Sequence, residues 1–163
     1  MTQHKSFSKT ISYKSHKLVF LTNKIVSKTL QKKLDLSFTN FLILMALRRH
    51  EKVSQKIIAD FLDLTEAAVS RQIEILVEKK LVARSENETN RRAHILTLTA
   101  KGIRELESAF KELDQTFEHI YQNISARQRK EFITLLDRLL EELIAHGKEI
   151  LCPPDERAKM ESK

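Results

Sequence analysis

Thr65-Glu66-Ala67-Ala68-Val69-Ser70-Arg71-Gln72-Ile73-Glu74-Ile75-Leu76-Val77-Glu78-Lys79-Lys80 is the stretch whose reading decides the fold. At 100° per residue, Ile73, Leu76 and Val77 fall within about 80° of Val69 and form one apolar stripe. Ala67, Arg71 and Glu74 fall on the opposite side, flanked by Ala68 and Ser70. Thr65 is a natural N-cap, and Glu66 in the first turn suits the helix dipole. Lys79 and Lys80 are expected in the last turn, where cations are favoured. The outward face therefore carries small side chains and one Arg. Such a face can sink into a major groove, with Arg71 or Ser70 reaching a phosphate or a base edge.

Immediately upstream, Ser54 caps a helix from Gln55 to Leu62, with Ile57, Ile58, Phe61 and Leu62 expected inward. A break at Asp63-Leu64 separates the two helices, which together outline a helix-turn-helix. Downstream the period changes. Leu81 to Arg84 and His94 to Leu98 read as strands around a polar loop, residues 85–93. Arg91 and Arg92 stand at the tip of this hairpin wing, and a narrow minor groove attracts Arg.

Ser37 caps a helix from Phe38 to Leu47 that is apolar nearly all round, so it forms the centre of the module. Before it, residues 12–34 show helical spacing through Leu18, Leu21 and Ile25 and through Val19, Val26, Leu30 and Leu34. After the wing, Thr99 caps a long helix with a seam at Ile103, Leu106, Phe110, Leu113, Phe117 and Ile120, spaced 3-4-3-4-3. A break at Asn123-Ile124-Ser125 precedes a last helix bearing Phe132, Leu136, Leu139 and Leu143. The terminal helices carry more apolar surface than the small module can cover, which points to an oligomer interface. Leu18, Leu21, Ile25, Leu106, Phe110, Leu113, Phe117, Phe132, Leu136, Leu139 and Leu143 are the residues expected there.

Composition agrees. Two Gly and two Pro in 163 residues are too few for a chain built on tight turns, so helices dominate. The net charge of +7 is uneven: residues 1–34 hold eight Lys and no acid. That asymmetry suits an anionic partner, nucleic acid or a membrane surface. A single cysteine, Cys152, excludes an internal disulfide framework and a cysteine-based zinc cluster. The longest apolar run, Phe41 to Leu47, is far short of the roughly 18 residues of a membrane span. No glycine-rich phosphate loop, catalytic triad or paired-carboxylate motif is evident, and the six histidines are scattered. The expectation is a cytoplasmic protein without catalytic, metal or cofactor residues.

Residues 36–102 resemble the multiple antibiotic resistance regulator (MarR) family of bacterial winged helix-turn-helix proteins. The resemblance rests on Leu36-Ser37-Phe38-Thr39-Asn40-Phe41-Leu42-Ile43-Leu44, on Leu64 to Ile73, and on Asn90-Arg91-Arg92 followed five residues later by Leu98-Thr99-Ala100-Lys101-Gly102. Asn90 replaces the family's wing Asp. Lys80 stands where a Gly usually ends the recognition helix, and Asp63 occupies a turn position often held by Gly. The helical flanks extend the resemblance over residues 12–147.

The resemblance implies a winged helix-turn-helix module (36–99), a helical dimerisation region (12–34 with 100–150) and a loose tail (151–163). It also implies a homodimer, usually a repressor, on a pseudo-palindromic duplex with half-sites about 10 bp apart. Thr65, Ala67, Ala68, Ser70, Arg71 and Gln72 would enter the major groove. Arg91 and Arg92 would meet the minor groove, and Ser54, Gln55 and Lys56 the phosphates. Many relatives release DNA when a small aromatic molecule or an oxidant acts between the subdomains. Phe20, Phe38 and Phe41 could line such an effector pocket, or simply form core. The rival reading is a winged-helix module that binds protein and no operator.

Overall fold

The computed structural model describes residues 9–49, 53–86 and 94–151. It is mainly α-helical with a small sheet, in two compact units, Met1–Glu118 and His119–Lys163. In the first, helix α1 (Ile11–Leu34) is followed by α2 (Phe38–Arg49), β1 (Val53–Ser54), α3 (Gln55–Leu62) and α4 (Glu66–Glu78). Then come β2 (Val82–Glu86), β3 (His94–Leu98) and α5 (Ala100–Tyr121). Helix α6 (Ala126–Leu151) lies in the second unit.

Each helix begins where the sequence offers a cap. Thr10, Ser37, Ser54, Thr65 and Thr99 each accept, through the side-chain oxygen, a backbone N–H three residues on. Helix α6 opens with a reciprocal pair, Gln128 N–H to Ser125 Oγ and Ser125 N–H to Gln128 Oε1. The helix ends are equally local. Asp35, Asp63 and Lys80 adopt left-handed backbone with φ of 48°, 52° and 59°. At Lys80 this closes a double C-terminal lock, Lys80 N–H to Val77 O and Leu81 N–H to Leu76 O, both 2.8 Å.

The core of the first unit surrounds α2. Leu30, Leu36, Ile43, Leu44, Ile58, Val69, Ile73, Leu76, Leu96 and Leu106 are essentially removed from solvent. Burying each aliphatic side chain of this size contributes about 1.5–3 kcal/mol. The sheet is three-stranded, ordered β1-β3-β2 and antiparallel throughout. Strand β1 was not foreseen: Val53 and Ser54 pair with Leu96 and Ile95, so one short segment both closes the sheet and caps α3.

Four sequence expectations need correction. Helix α3 buries Ile58 and Ala59 and leaves Ile57 and Phe61 exposed, because its eight residues make one narrow contact with the core. Helix α4 stops at Glu78, with Lys79 as C-cap, so neither lysine lies in the last helical turn. Strand β2 begins at Val82 and runs to Glu86, two residues beyond Arg84. Lastly, Leu106 and Leu113 of the α5 seam are buried in their own chain's core, and Phe117 packs against it. Phe110, partly exposed, sets its ring edge-on to Phe41 at 5.6 Å. The seam serves its own protomer first.

Candidate nucleic-acid interface

Helix α4 is oriented by the side chains it buries. Val69, Ile73 and Leu76 are fully inside, and Val77 is half-buried against them. The wheel then turns Ala67, Arg71 and Glu74 fully outward, with Ala68 and Ser70 half-exposed beside them. The stretch presents a short-side-chain surface near its N-terminus, with one guanidinium in the middle. Glu74, one turn after Ser70, is the acidic residue that bounds that face.

Helix α3 is braced against it. Gln55 donates from Nε2 to the backbone carbonyl of Glu66 at 3.0 Å, spanning the helix-turn-helix. This fixes the angle between the helices but engages the Gln55 amide within the protein. Ser54 is likewise engaged, accepting from Ile57 N–H, while Lys56 is free to solvent on the exposed side. Thr65 accepts from Ala68 N–H at 3.2 Å. Gln72 departs most from its expected outward role: it is half-buried, and its Oε1 accepts from Asn40 Nδ2 at 3.0 Å.

Asn40 is the buried polar residue of the described core, and sequence reasoning passed over it. The signal was there: one amide in a helix otherwise apolar nearly all round must find a partner when buried.

A second cluster holds the far end of α4. The Lys79 ammonium donates to the Asp35 backbone carbonyl at 2.5 Å and to its carboxylate at 3.0 Å. Gln31 donates to the other Asp35 oxygen at 2.7 Å. The Lys79 and Gln31 hydrogen bonds hold the Asp35 carboxyl below its usual value. Lys101 donates to the Lys79 carbonyl at 2.9 Å, and the Thr99 hydroxyl to the Lys80 carbonyl at 2.7 Å. The C-terminal ends of α1 and α4 and the start of α5 are thus tied together. Gly102 completes the joint, since a Cβ there would fall on the carbonyl oxygen of Leu81.

The wing strands pair in register from Val82–Leu98 to Glu86–His94, with Arg84 exposed on β2. Arg91 and Arg92, named from sequence for the wing tip, lie outside the described residues, as does the expected tail from Cys152 onward. Among the described residues no group of three or more His, Cys, Asp or Glu is arranged to hold a metal ion, and no helix is long and apolar enough to cross a membrane.

The expected dimerisation residues divide into two sets. Leu106 and Leu113 are core, with Phe117 against it. Leu18, Leu21, Phe110, Phe132 and Leu143 are 41–58% exposed, and Ile25, Leu136 and Leu139 are half-buried. Of the three aromatic residues weighed for a pocket, Phe41 is core and Phe38 packs against it, whereas Phe20 is exposed.

A braced helix pair, a three-stranded antiparallel sheet and a small-residue outer helix face define a winged helix-turn-helix module. The model of the MarR family matches residues 34–93, a stretch that includes α2, β1, α3, α4 and β2. An uncharacterized HTH-type transcriptional regulator, YdgJ, of Bacillus subtilis (strain 168) is 26% identical over 117 residues, 72% of this chain and 71% of that protein. Wild-type MarR from E. coli in its apo form superposes with a TM-score of 0.75 at 20% identity, covering 80% of this chain and 96% of that one. BldR from Sulfolobus solfataricus gives 0.68 at 23% identity, covering 86% and 99%. A mutant of E. coli MarR complexed with operator DNA gives 0.64 at 21% identity, covering 82% and 97%.

Proposed function

We propose that this chain is a MarR-family transcription regulator that binds a specific double-stranded operator as a cytoplasmic homodimer, acts as a repressor, and answers to a small-molecule effector. The observation that carries the reading is the outward face of α4, where Ala67 and Arg71 are exposed and Ala68 and Ser70 half-exposed. Small side chains let the helix approach base edges, and Arg71 supplies a forked donor for guanine or phosphate. Lys56 adds a phosphate contact at the start of α3, and Arg91 and Arg92 contact the flanking minor groove. Ser54, Gln55, Thr65 and Gln72 hold the frame, because their side chains are already engaged within the protein.

The dimer is supported by the apolar side chains left exposed on α1 and on α6, each more than a solvated helix face needs. A two-fold axis then pairs two modules with two half-sites about 10 bp apart. Operator occupancy by a structural neighbour, and the effector response common in the family, support the rest.

Selection of bound fragments from the source genome, followed by titration at several salt concentrations, tests the reading. A preferred site with inverted half-sites, and a log–log salt slope of about −0.9 per phosphate contacted, is the expected result. Ile57 and Phe61, exposed on α3, favour a second reading, docking of a protein on this module. Salt-independent, near-zero affinity for every duplex would select it.

A further inference from the structure

The outer face of α4 carries an acid where a polyanion is expected. Glu74 lies about 20° round the helix from Ala67, about 40° from Ser70 and about 60° from Arg71. It is exposed, and the fully buried Ile73 and Leu76 on the same helix fix its outward direction. Arg71 and Glu74 stand three residues apart, a spacing that allows an ion pair. Among the described residues, however, neither forms one. The protein leaves the Glu74 carboxylate open.

A carboxylate beside DNA phosphates is repelled, so it weakens binding to any duplex in which no base answers it. It can only accept hydrogen bonds. In the major groove the base donors are the N4 amine of cytosine and the N6 amine of adenine. Adenine sets its N7 acceptor beside N6, where it repels a carboxylate, whereas cytosine has no acceptor on that edge. Guanine and thymine present no donor there. Of the four bases, cytosine fits. Side chains three apart on a helix are about 5–6 Å from each other, and base pairs succeed at about 3.4 Å. Glu74 therefore reaches a base pair one or two steps from the one that Arg71 meets.

We propose, on the reading of α4 as the groove helix, that Glu74 is a specificity-determining residue of that interface. The N4 amine of a cytosine, one or two base pairs from the pair that Arg71 reads, donates to its carboxylate. On unrelated DNA the carboxylate has no such donor and only repels phosphate. One side chain thus favours the operator and disfavours the rest of the duplex.

The test selects duplexes from a random-sequence pool with the full chain as wild type, R71A, E74A and E74Q. E107Q, which removes an exposed carboxylate from α5, is the control. Wild type should select a cytosine one or two base pairs from the position that R71A relaxes. Altering that cytosine should cost wild type about 5- to 150-fold in affinity and E74A nothing. E74Q should move the preference to adenine, which an amide meets at both N6 and N7. Both Glu74 variants should bind random-sequence duplexes more tightly than wild type or E107Q does.

An unchanged cytosine preference in E74A, with R71A still relaxing its own position, would overturn the proposal and leave the groove reading intact. The same loss of preference in E107Q would overturn it too, as would equal random-duplex affinities in E74Q and E107Q. A wild-type protein without any base preference would sink the groove reading and this inference together.

Discussion

The side-chain amide of Asn40 donates to Gln72 Oε1 at 3.0 Å, so the most enclosed helix of the module grips α4 one residue beyond Arg71. An amide pair is directional where a leucine contact is not. It fixes the rotation of α4 about its own axis, and with it the aim of Arg71. Asn40→Ala should lower stability by about 1–3 kcal/mol, the penalty of leaving a partly buried acceptor unmatched. Operator affinity at a temperature where the variant is fully folded should fall as well. Urea midpoints and anisotropy titrations check the two effects, and an unchanged affinity would remove Asn40 from the positioning of α4.

Arg71 itself stands in solvent on the outer face. Arg71→Ala should weaken operator binding by about 1–3 kcal/mol and relax preference at one base position. Stability should stay within about 0.5 kcal/mol, as for a surface change without partners. Wild-type affinity in the variant would exclude the residue from the interface.

The two halves of the expected interface should respond differently. Leu113→Asp places a carboxylate inside one protomer's core and should abolish cooperative unfolding. Phe132→Asp or Leu143→Asp changes an exposed position and should give a folded monomer. Sedimentation together with circular dichroism distinguishes the outcomes. A folded dimer for both α6 variants would place the interface elsewhere.

Asp35 gives the module an acid-sensitive tie. Its carboxyl titrates below 3.8 because Lys79 and Gln31 bond to the charged form. A depressed folded value means that the carboxylate's stabilisation is complete above 3.8 and is lost as pH falls through the lower folded value. Asp35→Asn should therefore show a flatter dependence of urea midpoint on pH in that acid range, with a constant, lower midpoint than wild type above pH 6. Identical curves for variant and wild type would show that the tie contributes nothing.

Gly102 tests the joint at the start of α5. The Cβ in Gly102→Ala meets backbone at Leu81 and not a flexible side-chain end, so a helix or strand must shift. The expected loss is about 1–3 kcal/mol, partly offset by alanine's better helix propensity. A urea midpoint at or above wild type would contradict the close approach.

Much of this architecture was legible because it is local. The caps at Ser37, Ser54, Thr65 and Thr99, the stripe Val69-Ile73-Leu76, and the break around Ser125 each depend on neighbours within a few residues. Asp63 and Lys80 stand out only through the resemblance, which sets glycine at both positions, and both are left-handed. What escaped notice depends on contacts distant in sequence. Asn40 meets Gln72 across 32 positions, and Asp35 meets Lys79 across 44. Strand β1 is two residues long and has no period of its own. Periodicity gave the α5 seam its spacing but not its occupant, since a 3-4 repeat looks the same whether it meets another chain or the core of its own. The resemblance gives Gln55 to a phosphate and Gln72 to the major groove, yet each amide has a closer partner inside.

The three left-handed corners among the described residues, Asp35, Asp63 and Lys80, are all occupied by residues with a Cβ, while the glycine at 102 admits a backbone. A left-handed backbone disfavours such residues by about 1–2 kcal/mol each. An engineer seeking a sturdier variant should therefore leave the packed interior alone and begin at the bends. Asp63, whose side chain makes no described hydrogen bond, is the natural first position for glycine, whereas Asp35 would surrender its tie to Lys79.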